Sequence, residues 1–319
     1  MDGQTLIRKL RQTLSESSDS TWLEIKSCYD YLWDAAILTA DRVSAFSNTQ
    51  SITTTAAPAS YNLNPDFLRM AWTDSEGKYF IKFNNGVSDT FIYHKSYDAI
   101  LLANTTTSVS VPSEFTIVDA TQLAQLSSTA TSTGSLTNSY TIFGQTLGKT
   151  TLTDTAGAFV TNAVAAGDLI HNVTDGSHGI VLSVTSASAI VCAMFDGSKN
   201  YFTSADSYLI NRQGRYKLIL NPPNTTAAHT ITVYYIQRPP PVYDYYGSYN
   251  FAPGYTDALV LYAAWKYKYR DREPNFGDAW YKYWDYQVRI LGQTLNEAMR
   301  REGYRVNLIK KADRSGSRR

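Results

Sequence analysis

Gly167-Asp168-Leu169-Ile170, the turn at Asp175-Gly176, and the apolar segments Gly179 to Val184 and Ala189 to Ala193 read as successive strands of a meander. Around them, Ser113 to Tyr216 is rich in Thr, Val and Ile. It is punctuated by turn residues at Asp154, Gly157, Gly167-Asp168, Asp196-Gly197 and Gly214, spacing that suits a small barrel or sandwich. The Ser/Thr stretch between Leu126 and Tyr140 reads as a linker or loop ahead of the compact part.

Outward from this region the period changes. Leu6, Leu10 and Leu14 recur every fourth residue and predict a short first helix. Thr21 and Glu24 have capping-box spacing, and Trp22, Ile25, Tyr29, Leu32 and Ala36 step by three and four, so a second helix is expected from about Thr21 to Phe46. Lys78 to Phe83 alternates, Asn85-Gly86 favours a hairpin turn, and Phe91-Ile92-Tyr93 supplies the return strand. On the C-terminal side, Thr230 to Gln237 alternates until Pro239-Pro240-Pro241 stops it. Leu259, Tyr262, Lys266 and Tyr269 then share a helical face that ends at Glu273-Pro274. Trp280, Trp284, Val288, Leu291 and Leu295 mark a last helix from about Asn275 to Arg301. The expected fold class is therefore α+β: one helical bundle from the N- and C-terminal helices, with an inserted β-rich domain. Its expected parts are 1–112 and 217–302 as the core, 113–216 as the insert and 303–319 as a basic extended arm.

Composition excludes several functions. Lys plus Arg total 29 against 28 for Asp plus Glu, so no global field draws the chain to nucleic acid or an anionic surface. Cys28 and Cys192 give neither a disulfide framework nor a metal-ligand spacing. No window approaches the roughly 18 apolar residues of a membrane span, and the start lacks a basic-then-apolar leader, so a non-membrane protein is expected. Gly144 to Thr150 resembles a phosphate loop, but only three residues separate Gly144 from Gly148 and strand, not helix, is expected to follow. His94, His171, His178 and His229 are dispersed; His171 and His178 approach across the Asp175-Gly176 turn as a hairpin pair. No Gly-x-Ser-x-Gly elbow appears, and the helical Cys28 lacks a base. No catalytic residue, cofactor or metal is assigned, and no enzyme activity is expected.

The 24 tyrosines suit subunit interfaces, where a large ring with a polar tip gains contact area at little entropic cost. Two aromatic sets, Trp22, Tyr29, Trp33 and Tyr262, Trp265, Tyr269, are the candidate adhesive faces of a closed ring. The tail is locally basic, with Leu308 and Ile309 set among Lys310, Lys311, Arg314, Arg318 and Arg319.

Four passages, in this order and spacing, are similar to the head-to-tail adaptor (connector) proteins of tailed bacteriophages. They are the helix through Tyr29-Asp30-Tyr31-Leu32-Trp33, the segment Asn62 to Leu68, the pair Leu220-Asn221-Pro222-Pro223 and Val233 to Pro239, and the closing helices from Tyr255 to Leu295. The resemblance implies a homo-oligomeric ring, typically of twelve copies, in the virion at the head–tail junction and assembled in the host cytoplasm. It implies portal protein and a tail or nozzle protein as partners, with double-stranded DNA passing through without sequence-specific binding. By position, residues 303–319 would be the portal-contact arm. Leu308 and Ile309 would anchor it, and Lys310, Lys311, Arg314, Arg318 and Arg319 would meet acidic surface. The alternative is a tail-associated receptor- or carbohydrate-binding structural protein; a tail-associated hydrolase is the enzymatic rival.

Overall fold

The computed structural model describes residues 2–16, 23–55, 60–71, 73–74, 76–103, 109–119, 123–142, 144–251, 254–270 and 277–292. Along the chain come α1 (Gly3–Thr13), α2 (Ile25–Val43), β1 (Ser47–Thr53), β2 (Tyr61–Asn62), β3 (Phe67–Met70), β4 (Phe80–Asn84), β5 (Asp89–His94), α3 (Tyr97–Ala103) and β6 (Glu114–Asp119). Then follow β7 (Leu126–Thr131), β8 (Leu136–Ile142), β9 (Gln145–Thr153), β10 (Leu169–Asn172), β11 (Ser177–Ser186), β12 (Ala189–Phe195) and β13 (Ser204–Asn211). The described residues close with β14 (Tyr216–Asn221), β15 (Thr230–Gln237), α4 (Tyr255–Arg270) and the described part of a further helix, α5 (277–292).

The expected helical bundle with an inserted domain is overturned. The described chain is mostly β, in an eight-stranded sheet ordered β1-β15-β4-β5-β6-β14-β2, with β3 also on β15, and a seven-stranded sheet ordered β7-β13-β10-β11-β12-β9-β8. The reason is that the alternating segments on either side of the expected insert do not serve a helical core. Ile81, Phe83, Ile92, Phe115, Leu218, Ile231, Val233 and Tyr235 point to one face and make a core of their own. Gln50 on β1 bonds the carbonyl of Asn62 at 3.2 Å and the amide of Asn64 at 2.8 Å, drawing the two ends of this sheet together.

The second sheet is nearly barrel-shaped. The Ser/Thr stretch expected as a linker is β7 and β8. At the end of β7, the Thr131 hydroxyl donates to the Thr153 carbonyl at 3.1 Å, while the Ser132 hydroxyl accepts from the Thr153 amide at 2.8 Å, joining β7 to β9. Along β12, Ile190, Cys192 and Met194 fill the interior with Phe159, Phe202, Tyr208 and Ile210, whereas Ala193 and Phe195 face outward. Gly179 on β11 is required by close approach: a Cβ there would lie 1.8 Å from the Ala193 carbonyl oxygen. The strands of the seven-stranded sheet run from Leu126 to Asn211, while β6 and Tyr216, within the expected 113–216, pair in the first sheet.

The helices cover the barrel's outer face. Leu6, Leu10, Ile25, Tyr29 and Leu32 share one buried cluster with Tyr140, Leu147, Ile180 and Phe195, as well as with Leu259, Ala263 and Trp284 of the C-terminal helices. Helix α2 starts at Ile25 with no side-chain cap from Glu24, and it ends at Ser44 in the left-handed region. Thr21, Trp22, Glu273, Pro274 and everything beyond Gly292 lie outside the described residues.

Candidate functional site

The aromatic residues expected as interface groups are mostly interior, which corrects their reading. Tyr29 is buried: its ring lies 5.4 Å from that of Tyr243, and its hydroxyl is 3.0 Å from that of Tyr140. Burial, then the neighbouring Tyr140, raises its hydroxyl pKa, so the group stays neutral. Trp33 is nearly buried and donates its indole N–H to the Pro239 carbonyl at 3.0 Å. Tyr262 is buried 5.1 Å from both Trp265 and Trp284, and Trp265 is half-buried against Tyr281. Of the set, Tyr269 alone among the described residues is open to solvent, at 65% exposure. Trp22 and the arm residues Leu308, Ile309, Lys310, Lys311, Arg314, Arg318 and Arg319 lie outside the described residues. Helical spacing locates an apolar stripe but not what covers it; here the covering groups are Tyr243 and the barrel's Phe195.

Exposed rings sit elsewhere, at Tyr79, Tyr97, Tyr216 and Tyr246, and in pairs on two elements, β5 and α5. On the outer face of the first sheet, Phe91 is 54% and Tyr93 40% exposed. The register sets Phe80 opposite Tyr93, Lys82 opposite Phe91 and Thr49 opposite Tyr234. The Phe80 ring lies 5.2 Å from Phe91 and 6.3 Å from Tyr234. These rings and Ser47, Asn48 and Thr49 line a shallow groove of about 550 Å³. On α5, Tyr283 and Tyr286 are 61% and 57% exposed, while Trp284 and Val288 on the same helix are buried. The signal for the sheet rings was present in Lys78 to Phe83, where both alternating sets carry aromatic rings and only one can enter the core.

Between the two sheets, a cleft of about 690 Å³ is bordered by Asn62, Asn64, Leu123, Val160, Arg215 and Lys217. Its Arg215 is engaged in holding the sheets together. Fully buried Asp168 accepts from Arg215 at 3.2 Å and from the amides of Ala165 and Gln213 at 2.8 and 3.0 Å. Arg238, at the end of β15, reaches the carbonyls of Pro65 and Ala166 and the side chain of Gln213. Burial, and then the nearby Arg215, lowers the Arg238 pKa.

The sequence-level candidates for chemistry are placed as follows. Gly144 precedes β9, and Gly148-Lys149-Thr150 lies within it, so no helix follows to present amides to a phosphate. His171 and His178 are cross-strand partners with ring centres 6.4 Å apart, and His178 lies 3.5 Å from Asp196. Burial, then His178 and Lys26, lowers the His171 pKa. Among the described residues no group of three or more His, Cys, Asp or Glu is placed to hold a metal ion. Burial pushes the Cys28 thiol up to about 12 and raises that of Cys192 as well, so neither is an activated nucleophile. No described helix is long and apolar enough to cross a membrane.

No family model matches the chain, and no curated protein matches it.

Proposed function

We propose that the chain is a structural subunit that assembles with copies of itself into a closed ring at the head–tail junction of a tailed bacteriophage, between the portal and the tail. The observation that carries this reading is the presence of exposed aromatic rings on two different elements, Phe91 and Tyr93 on the sheet and Tyr283 and Tyr286 on α5. Isolated exposed apolar residues are ordinary, but grouped rings mark contact surfaces. A ring built from one repeated heterologous contact needs two dissimilar faces per subunit. The basic residues of 303–319 suit an arm that meets an acidic portal surface, and the near-neutral total suits a channel that passes DNA without holding it.

The carbohydrate-binding alternative needs a stacking platform in the barrel region. Among the described residues there, the rings of Tyr140, Phe159, Phe195, Phe202 and Tyr208 are buried and Tyr201 is half-buried, so none of them favours it. The test is mass measurement of the purified chain with and without the portal protein. A multi-copy complex on portal is expected, dependent on 303–319; a chain that neither binds portal nor associates in its presence would reject the reading.

A further inference from the structure

We propose that in the isolated subunit residues 304–309 fold back onto their own chain and occupy the groove between β1 and the rings of Phe80, Phe91 and Tyr234. Four observations converge on this, and none depends on the ring.

The first is an open strand edge. Strand β1 ends its sheet and pairs only with β15 among the described residues. The Gln237 amide donates to Phe46 and the Thr54 amide to His229, so the even-numbered positions bond β15. The backbone groups of Ser47, Thr49, Ser51 and Thr53 therefore point away from it. Gln50 ties the middle of β1 toward β2 and the Thr49 amide donates to the Asn48 side chain at 2.8 Å, which leaves the Ser47 amide and the carbonyls of Ser47 and Thr49 as the open groups. This stretch carries no Lys or Pro, the residues that commonly guard an edge.

The second is the groove itself, which that same stretch lines. Thr49, opposite Tyr234, is the small member of an otherwise aromatic row, so one more strand bearing large apolar side chains would complete the row.

The third is where the described part of α5 stops. A Cβ on Gly292 would lie 3.7 Å from Val43, and Val43 precedes Ser47 by four residues. Tyr304 lies twelve positions beyond Gly292, a reach of up to about 40 Å, against the ~14 Å that four extended residues span. The last described residue thus lies near the start of the edge, and tethering raises the effective concentration of the residues that follow it.

The fourth is the sequence of the tail. Tyr304, Val306 and Leu308 alternate with Arg305 and Asn307, which gives a short strand one apolar face and one polar face. Such a segment adds to an open edge through backbone hydrogen bonds and places alternate side chains in the adjoining groove.

The test is hydrogen–deuterium exchange of the full chain, kept dilute enough to be monomeric by light scattering. It is compared with a chain ending at Glu302 and with full-length Tyr304→Asp/Leu308→Asp. Exchange at Ser47 to Thr49 is expected to be slowed about tenfold by the tail and to speed up in both variants, while β10 to β13 stays equally protected in all three. Equal exchange at Ser47 to Thr49 in all three proteins would overturn the proposal. So would protection that disappears on dilution, which would assign the groove to the tail of a second copy.

Discussion

At the scale of single residues, the decisive groups are buried carboxylates. Asp168 is fully buried and Arg215 nearly so, and the carboxylate faces the guanidinium at 3.2 Å. Removing one partner of such a pair leaves the other charge desolvated and unpaired, so Asp168→Ala should cost about 3–5 kcal/mol in urea unfolding. Asp168→Asn, which keeps one acceptor oxygen, should cost less. In the barrel, Asp154 accepts from the Tyr208 hydroxyl at 2.6 Å and from the Ala156 amide at 2.8 Å. Burial alone would raise its pKa, but the hydrogen bonds from Tyr208, Ser128 and Ala156 outweigh it and the net shift is downward from 3.8. Asp206 behaves alike: burial is outweighed by bonds from Thr203 and Asn172, and its pKa is lowered. A carboxyl lowered in the folded state binds fewer protons there than in the unfolded chain near its ordinary value. Its stabilisation is therefore fully present above 3.8 and is lost as pH falls below 3.8 through the folded value. Urea midpoints should hold steady near neutral pH and drop below about pH 4. Tyr208→Phe should lower stability by about 1.5–3 kcal/mol near neutral pH. It should also shrink the acid-dependent loss, because Asp154 then has less reason to stay ionised; an unchanged pH profile in that variant would reject the assignment.

At the scale of elements, the joint between α5 and the rest of the helical layer rests on Trp284. It is fully buried, lies 5.1 Å from Tyr262, and its indole N–H is 3.3 Å from the Thr39 hydroxyl of α2. Trp284→Ala should cost about 3–5 kcal/mol and make the α4–α5 region the first site of limited proteolysis, while cleavage in the barrel stays slow. Trp284 was legible in advance, because it stands on the three-and-four spacing that also marks α2 and α4. The Asn85-Gly86 hairpin was legible too, since Gly86 adopts a φ of 87° that its neighbours' side chains would resist. The Ser/Thr strands were not. Leu126 to Thr131 is an ordinary linker composition until Thr131 and Ser132 find Thr153, and that contact joins strands far apart in sequence. Nor could spacing reveal that the stripe through Tyr29 and Trp33 is covered by Tyr243 and Phe195. The apolar periodicity of a helix is the same whether its cover comes from its own chain or another. The expected fold class failed for a related reason: each short strand reads locally, whereas a sheet of eight strands with its own core exists only in the pairing of 47–119 with 216–237.

At the scale of the whole molecule, the two exposed aromatic faces make a prediction that distinguishes a ring from a simple dimer. In the chain ending at Glu302, where the groove is uncovered, Phe91→Asp damages the sheet face and Tyr283→Asp damages the helix face. Both side chains are more than half exposed, so each change should alter folding stability by no more than about 0.5 kcal/mol. If the sheet face of one subunit meets the helix face of the next, each variant alone loses every contact and should remain monomeric. Mixed in equal amounts, the two variants still share one intact pairing: the sheet face of Tyr283→Asp against the helix face of Phe91→Asp. Native mass spectrometry should then show a heterodimer and nothing larger, because both outer faces of that pair are the damaged ones. A two-fold symmetric contact that uses the same face on both partners gives a different pattern. The variant with the uninvolved face damaged would still dimerise by itself, and mixing would create no new species.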